Sequence, residues 1–101
     1  MTLSFTPSDP RVVLRESTMG DLLRNAAARA PGHTALVYAT VDHGIVGRWT
    51  YEELYAEALA TAHALRARFQ PGERVALWAP NRPEWLFVQF GAAFAGIVLV
   101  T

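Results

Sequence analysis

Residues 71–100 read PGERVALWAPNRPEWLFVQFGAAFAGIVLV and predict a strand, a helix and a second strand in that order. The first strand is expected at residues 74–79, where the run Val-Ala-Leu-Trp is typical of a strand buried on both faces. The second is expected in the β-branched run at residues 97–100. These elements make a βαβ unit with parallel strands, so the chain is expected to have an α/β fold.

The helix of this unit is expected at residues 85–95 and is apolar on nearly all sides. Asn81 lies three residues before Glu84, with Pro83 between them, an order typical of a helix that starts with an asparagine N-cap. Gly96 is the expected end of the helix. Because it has almost no polar face, the helix is expected to be largely buried.

An extended arm and a first helix are expected before the βαβ unit. Residues 1–17 form the arm, because they mix proline, serine and aspartate with one short apolar run. Thr18 and Asp21 have the spacing of an N-cap pair, and apolar residues then recur at helical spacing until Pro31 and Gly32 end the run. A domain is therefore expected to start at residue 18.

A hairpin and a second helix follow the first helix. Residues 34–40 and 45–49 predict two short strands joined by a glycine-containing turn at residues 41–44. Thr50 and Glu53 have the spacing of a capping box at the start of the second helix. The face expected to lie on a core holds Tyr51, Leu54, Tyr55, Ala58, Leu59, Ala62, Leu65 and Phe69. The opposite, polar face holds Glu52, Glu57, Thr61, Arg66 and Arg68.

Composition excludes several classes of function. The formal net charge is zero and the arginines are spread along the chain, which argues against a nucleic-acid-binding surface. There is no cysteine, so disulfides, thiolate metal sites and thiol nucleophiles are excluded. All 9 residues counted as lysine or arginine are arginine, so the chain has no catalytic lysine.

A membrane span is not expected. Between positions 86 and 100 the only polar residue is Gln89, but this stretch is shorter than the ~20 residues that a span needs. Gly91 and Gly96 also interrupt it. The first ten residues lack the basic and apolar regions of a secretory signal, so a cytoplasmic location is expected.

Three motifs in order resemble the adenylate-forming superfamily of acyl-CoA synthetases, aryl-CoA ligases, luciferases and adenylation domains. Residues 49–54, WTYEEL, resemble its first core motif, with Trp49 in place of the usual leucine. Residues 71–85 are similar to the Pro-Gly-Asp-Arg-Val segment and Pro-Asn-x-x-Glu turn of fatty-acid–CoA and aryl-CoA ligases, and residues 93–100 resemble the second core motif. The resemblance implies an N-terminal subdomain fragment of the acyl-CoA synthetase-like fold, a β-hairpin plus a βαβ unit with three helices.

The resemblance also implies the function of a longer parent enzyme. Such a relative activates a carboxylic acid with ATP and magnesium to an acyl-adenylate and then transfers the acyl group to CoA. The family's phosphate loop, magnesium motif, ribose-binding aspartate and adenylation lysine lie downstream of the position that matches Thr101. Residues 18–101 are therefore expected to be a partial AMP-binding subdomain, truncated at the C-terminus, of a ligase of fatty acid metabolism.

No catalytic, cofactor-binding or metal-binding residue is expected in this chain, which is predicted to be structural and inactive by itself. ATP, magnesium and CoA are implied only for the full-length family. Glu52 and Glu53 are adjacent carboxylates, but helix neighbours point about 100° apart and Glu53 is explained by the capping box. His33, His43 and His63 lack metal-ligand spacing and are interpreted as surface histidines.

The turn at residues 79–83 is the one position with binding character, because it joins the carboxyl end of a strand to a helix start, where α/β proteins place anionic ligands. The turn contains no glycine and its asparagine is explained as a cap, so a ligand is not expected there. Trp49, Trp78 and Trp85 are interpreted as core residues, because no basic groove accompanies them.

The expected partner is the remainder of the synthetase or another copy of the chain, with a homo-oligomer predicted and no nucleic acid. The alternative function is a standalone interaction or self-assembly module that keeps the subdomain fold. It is motivated by the apolar helix of the βαβ unit, which leaves an exposed patch unless something packs on it. The last strand also offers an edge for pairing with another copy. A dinucleotide-binding half-domain is disfavoured because no strand is followed by the glycine fingerprint.

Overall fold

The computed structural model describes residues 4–101 and confirms the expected α/β class. Its elements are α1 (Met19–Arg29), β1 (Thr34–Thr40), β2 (Gly44–Thr50), α2 (Tyr51–Arg66), β3 (Arg74–Ala76), α3 (Glu84–Ala95) and β4 (Val98–Val100). β1 and β2 form an antiparallel hairpin, and β3 and β4 form a separate two-stranded parallel sheet. The hairpin, the βαβ unit and the three helices are therefore present in the predicted order.

Residues 4–17 precede α1 and contain neither helix nor strand. The arm was predicted from residue 1, and residues 1–3 lie outside the described residues. The segment turns at Asp9, whose carbonyl accepts the Val12 N–H at 3.0 Å and whose carboxylate pairs with the Arg11 guanidinium at 2.7 Å. The hydrogen bond from the Arg11 side chain lowers the pKa of Asp9. The apolar residues of the segment, including Leu14 at 88% exposure, contribute nothing to the core.

The predicted side-chain caps of α1 and α2 are both confirmed. In α1, the Thr18 hydroxyl accepts the Asp21 N–H at 3.1 Å, and the Asp21 carboxylate accepts the Thr18 N–H at 3.3 Å. In α2, the Thr50 hydroxyl accepts the Glu53 N–H at 3.2 Å, and the Glu53 carboxylate accepts the Thr50 N–H at 2.8 Å. Each pair satisfies backbone donors at a helix start, which fixes where the helix begins.

The hairpin packs one face against the helices. Leu36 of β1 pairs with Trp49 of β2, and both side chains contact the cluster around Leu54 of α2. The register shifts twice along the ladder, and β2 starts at Gly44, whose φ of 64° lies in the left-handed region that glycine favours. The hairpin is therefore attached to the core by its inner face and leaves its tip in solvent.

The most closely packed part of the molecule is the contact between α2 and α3. Ala58 is completely buried and Leu54 is 3% exposed. Gly91 of α3 allows this approach, because a Cβ at that position would lie 2.8 Å from the Thr61 Cβ and 3.1 Å from the Ala58 carbonyl oxygen. A second cluster, near β4, comprises Ala62, Ala92, Ala95 and Ile97.

Thr61 was placed on the polar face of α2, and the structure corrects this. Its side chain is half-buried and faces Gly91. The hydroxyl donates to the Glu57 carbonyl one turn earlier at 2.9 Å, so the polar group is satisfied within the helix. Its methyl group is then free to pack against α3, which an amphipathic pattern alone does not reveal.

The βαβ unit differs from the prediction in the length and the burial of its first strand. β3 covers residues 74–76 instead of 74–79, although the Leu77 N–H still donates to the Val100 carbonyl at 2.9 Å. Residues along β3 alternate between exposed and half-buried, so the prediction of burial on both faces was wrong. The helices cover only one side of this sheet. Gly96, with φ 72°, ends α3 as predicted.

α3 is less buried than its composition predicts. Its small residues Gly91, Ala92 and Ala95 are buried, whereas its large side chains are half-buried. Within residues 4–101, no large apolar side chain of α3 is among the exposed ones. The exposed apolar patch that was expected on this helix lies elsewhere.

Candidate functional site

The turn at residues 79–83 joins β3 to α3 and is held by the indole of Trp85. The Trp85 Nε1–H donates to the Ala79 carbonyl at 3.1 Å and to the Pro80 carbonyl at 2.9 Å. Because Trp85 lies in the first turn of α3, this contact anchors the end of the strand to the start of the helix. The indole is therefore committed to structure and is not available to a ligand.

Asn81 was predicted to cap α3, and this prediction was wrong. The cap position is occupied by Pro83, with helical φ and ψ of −56° and −34°, and no side chain caps the helix. The backbone already bends helically at this point, since the Trp85 and Leu86 N–H groups donate to the Arg82 and Pro83 carbonyls at 3.1 and 3.0 Å. Asn81 is exposed and lies two residues before the N-cap position, too far from the helix to cap it.

The charges beside this turn are paired with each other. The Arg82 guanidinium contacts the Glu84 carboxylate at 3.3 Å, and both side chains are more than half exposed. The pKa of Glu84 is lowered first by a hydrogen bond from its own backbone N–H and then by the hydrogen bond from Arg82. The pKa of Arg82 is raised by the same partner. Because these backbone donors and the cation already have partners, the helix start offers little to an anion.

A shallow groove of about 230 Å³ runs between this turn and the hairpin. It is lined by Leu36, Val37, Tyr38, Ala39, Asn81, Arg82 and Pro83. Sequence reasoning missed it, because only the packing of the hairpin on the helices brings β1 to the turn. Its polar side chains are the exposed Arg82 of the ion pair, the exposed Asn81 and the half-buried Tyr38, and none of the lining residues is a buried charge.

The other candidate residues are not brought together. Glu53 is held by the α2 cap, while Glu52 is exposed. His43 lies in the hairpin turn, where its N–H donates to the Thr40 hydroxyl at 3.2 Å. His33 and His63 are exposed elsewhere. Among residues 4–101, no three histidine, cysteine, aspartate or glutamate side chains are grouped to hold a metal ion.

The three tryptophans were all predicted to be core residues, and one of them is not. Trp49 packs edge-on against Phe87 with ring centroids 5.6 Å apart. Trp85 is half-buried. Trp78 is 101% exposed, so its side chain has no cover in this chain.

One face of the β3–β4 sheet is exposed, which is unusual for parallel strands. Its exposed residues, Arg74 and Ala76 of β3 and Val98 and Val100 of β4, are here called the outer sheet face together with the exposed Trp78, which follows the end of β3 by two residues. Val98 and Val100 are 49% and 45% exposed, whereas the inward residues Val75 and Leu99 pack against the helical cluster. Parallel strands normally have both faces covered. This face therefore indicates a contact with further protein.

The total exposed surface is large, and it includes the nearly fully exposed residues 4–17 as well as the outer sheet face. The chain exposes 7926 Å², whereas a compact monomer of 11.1 kDa exposes about 5,700 Å² by the usual scaling with mass. Its radius of gyration is 16.8 Å, against about 13 Å for a compact domain of this length. In the part of the chain that the structure describes, no helix is both long and apolar enough to cross a membrane.

Comparisons with known proteins agree with this geometry. Residues 23–101 match the family model described as AMP-binding enzyme. The chain is 39% identical over 101 residues to the medium-chain acyl-CoA ligase ACSF2, mitochondrial, of Danio rerio, covering 99% of this chain and 16% of that protein. It is 30% identical over 96 residues to the 4-hydroxyphenylalkanoate adenylyltransferase of Mycobacterium tuberculosis, covering 92% of this chain and 16% of that protein.

Solved structures give the same result. The inhibitor-bound N-terminal domain of FACL13 from Mycobacterium tuberculosis superposes with a TM-score of 0.73 at 34% identity, covering 83% of this chain and 20% of that one. The chain thus spans about a sixth of the length of the curated relatives it matches, at 16%.

Proposed function

Because the chain belongs to the AMP-binding enzyme family, we propose that it is an N-terminal segment of an AMP-forming acyl-CoA synthetase. The complete enzyme converts a carboxylic acid and ATP to an acyl-adenylate and then transfers the acyl group to CoA. The role of these residues is structural: they supply helices and strands on which later parts of the enzyme pack. The outer sheet face carries this proposal, because an apolar parallel sheet with one bare side is half of a packed layer.

We further propose that ATP, magnesium and CoA are bound by the complete enzyme and not by this segment. The composition supports this, since the chain has no lysine, the residue type that the family uses in the adenylation step. The start of α3, the one position suited to an anion, has backbone donors that are already used. Calorimetric titration of the chain with ATP and magnesium is expected to give no binding heat.

Activity of the isolated chain is the first test. Purified chain incubated with ATP, magnesium and a fatty acid is expected to release no pyrophosphate. Zebrafish ACSF2, assayed in parallel, serves as the positive control, because its name describes a medium-chain acyl-CoA ligase. Pyrophosphate release that depends on both the acid and this chain would contradict the structural role.

A graft tests the structural role directly. The matching segment of zebrafish ACSF2 is replaced by this chain, which is 39% identical to it. The graft is expected to retain ATP–pyrophosphate exchange with a medium-chain fatty acid. A matched graft with Leu54→Asp places a charge in the core and is expected to abolish the exchange. If the intact graft is folded but inactive, the segment does more than provide a scaffold.

The acid itself is proposed to be a fatty acid, on the strength of the match to ACSF2, whose name describes a medium-chain acyl-CoA ligase. The match to a 4-hydroxyphenylalkanoate adenylyltransferase names the competing class. Exchange assays of the complete enzyme with fatty acids and with hydroxyphenylalkanoates distinguish the two.

A cytoplasmic location is also proposed. Fractionation of the tagged protein tests it, with mitochondria as the alternative that the ACSF2 name suggests.

A second candidate function is a self-assembly module. It is favoured by one observation, the exposure of Val98 and Val100 on the outer sheet face, at 49% and 45%. If these residues act without the remainder of a synthetase, that surface is available to another copy. Light scattering over a wide concentration range is expected to show a dimer or a larger assembly, and a monomer throughout contradicts this function.

A further inference from the structure

We propose that the groove between the C-terminal ends of α2 and α3 binds a small carboxylic acid that has an apolar chain. We call it the α2–α3 groove, and its volume is about 350 Å³. Its lining residues are Leu59, Ala62, His63, Arg66, Phe94 and Ala95. The proposal goes beyond the proposed function and does not depend on it, because it concerns binding by these residues and no chemical step.

The floor of the α2–α3 groove is apolar and closely packed. Ala62 and Ala95 are 8% and 3% exposed and belong to the cluster near β4. Leu59 and the ring of Phe94 are half-buried beside them. A hydrocarbon chain that lies on this floor removes its own apolar surface and that of the groove from water. The floor therefore favours a ligand with an apolar portion over a fully polar one.

The Phe94 ring is held in place by neighbours that do not depend on a ligand. It packs edge-on against Tyr55 with ring centroids 5.6 Å apart, and the Arg24 guanidinium carbon lies 5.5 Å from its centroid. Gly20 of α1 permits the ring to approach closely, because a Cβ there would lie 2.9 Å from the Phe94 Cδ1. Contacts from α1 and α2 thus fix this wall of the groove, as is usual in small-molecule sites.

The polar rim of the groove offers hydrogen-bond donors and no negative charge. His63 and Arg66 lie in the last turn of α2 and are exposed. Within residues 4–101, neither side chain forms an ion pair with a carboxylate. A cation here also stabilises the C-terminal end of the helix, but that interaction leaves guanidinium N–H groups available. Because arginine binds a carboxylate through two parallel hydrogen bonds, the rim favours a carboxylate head.

The rim and the floor are aligned along α2. Leu59, His63 and Arg66 are four and three residues apart, which places them on one side of the helix. With a rise of about 1.5 Å per residue, Leu59 and Arg66 are roughly 10 Å apart along the axis. A ligand whose carboxylate contacts Arg66 therefore extends its chain over Leu59 and Phe94. An amine with the same chain would place a like charge beside the guanidinium.

The size of the groove favours a small molecule over a protein partner. Its volume of about 350 Å³ lies at the lower end of the roughly 300–1,000 Å³ that is typical of small-molecule sites. A protein interface of standard size takes about 20–30 residues on each side. Only six residues line this groove, and none of them belongs to the outer sheet face. Size, charge and floor together select a monocarboxylic acid of short or medium chain length.

Titration of the isotope-labelled 101-residue chain with octanoate, below its micelle concentration, tests the site by NMR. Octanoate is expected to shift the backbone amide signals of residues 59–66 and 94–95 and to saturate. Octylamine, which reverses the charge of the head, is expected to bind at least about tenfold more weakly. The absence of saturable shifts at these residues overturns the proposal. Equal binding of octylamine, or shifts confined to the outer sheet face, also overturns it.

Chain length tests the apolar floor. Each buried CH₂ group contributes roughly fourfold in affinity, so hexanoate is expected to bind up to about sixteenfold more tightly than butanoate. The gain is expected to stop once the chain is longer than the groove. An affinity that rises without a plateau as far as dodecanoate indicates unspecific adsorption to exposed apolar surface, and it overturns the proposal.

Two arginines test the rim as a matched pair. Arg66→Gln removes the charge and is expected to weaken octanoate binding about tenfold. Arg68→Gln makes the same change at an exposed position outside the groove and is expected to leave the affinity unchanged. The signal dispersion of the same spectra shows that both variants are folded. Equal losses in the two variants indicate a general attraction to positive charge and overturn the proposal.

Discussion

The α2–α3 contact and the β3–β4 sheet are both built from apolar residues, yet only the first is packed on all sides. Ala58, between the two helices, is fully buried, whereas Val98 of β4 is 49% exposed. α2 and α3 approach closely because Gly91 faces Thr61. The sheet has helices on one side only. Apolar composition therefore indicates where a contact surface lies, but it does not show whether residues of the same chain pack on that surface.

The largest expected contrast comes from truncating one buried and one exposed aliphatic side chain. Leu54→Ala is expected to lower the free energy of unfolding by about 3 kcal/mol, because it leaves a cavity beside α3. Val98→Ala is expected to cost less than about 0.5 kcal/mol, because this side chain is 49% exposed. Urea unfolding measures both. Equal losses would mean that the sheet is covered within this chain.

The next contrast uses glycines. Gly91→Ala is expected to destabilise the chain by about 2 kcal/mol, because the new Cβ lies 2.8 Å from the Thr61 Cβ and the helices must separate. Gly32→Ala, with no atom within 4 Å of its Cβ, is the control and is expected to be neutral. Combining Gly91→Ala with Thr61→Gly removes the opposing atoms and is expected to recover part of the loss. The same denaturant titration measures all three, and a neutral Gly91→Ala contradicts the close approach.

Helix starts give a smaller difference. Thr50→Ala is expected to cost about 1 kcal/mol, because the Glu53 N–H loses its acceptor. Asn81→Ala near α3 is expected to change stability by less than about 0.5 kcal/mol, since no side chain caps that helix. Thermal unfolding of the two variants beside the wild type decides the matter. A loss at Asn81 as large as that at Thr50 restores the original sequence-based interpretation of the turn.

The smallest expected effect is a pH dependence at α1. The pKa of Asp21 is lowered from 3.8, first by the hydrogen bond with the Thr18 side chain and then by the one from the Thr18 backbone. The unfolded chain therefore binds the proton more tightly, so the stabilisation is complete above the ordinary pKa and is lost as the pH falls through the lower folded value. The difference in stability between wild type and Asp21→Asn is expected to be constant near neutrality and to shrink in acid. A difference that grows in acid contradicts this sign.

Much of the fold was predictable because its signals are local. Thr18 with Asp21 and Thr50 with Glu53 specify helix starts through atoms three residues apart, and the structure contains both pairs. Gly96 likewise ends α3 by its own conformation. What could not be predicted depends on distant neighbours. The inward direction of Thr61 needs Gly91 across the contact, which lies thirty positions along the chain.

The candidate surface was predictable only in kind. An uncovered apolar patch was expected, but α3 was named as its location. The structure places it on β3 and β4, because the large side chains of α3 are partly covered by α2 and the hairpin. The run around Trp78 is typical of a strand buried on both faces, because its side chains are apolar on both sides of the strand. This pattern is the same whether or not the chain itself covers both sides. Sequence periodicity therefore does not distinguish a sheet face that the chain covers from one that it leaves exposed.

The unequal surroundings of the three indoles turn this chain into its own optical probe. Trp78 is fully exposed to water, Trp49 packs edge-on against the ring of Phe87, and the Trp85 indole N–H is hydrogen-bonded to two carbonyls. The fluorescence emission maxima of the three indoles are therefore expected to differ. Phenylalanine at positions 49 and 85 leaves a spectrum that reports only on the bare side of the sheet. A shift of that emission to shorter wavelength records, without any added dye, the moment at which something covers it.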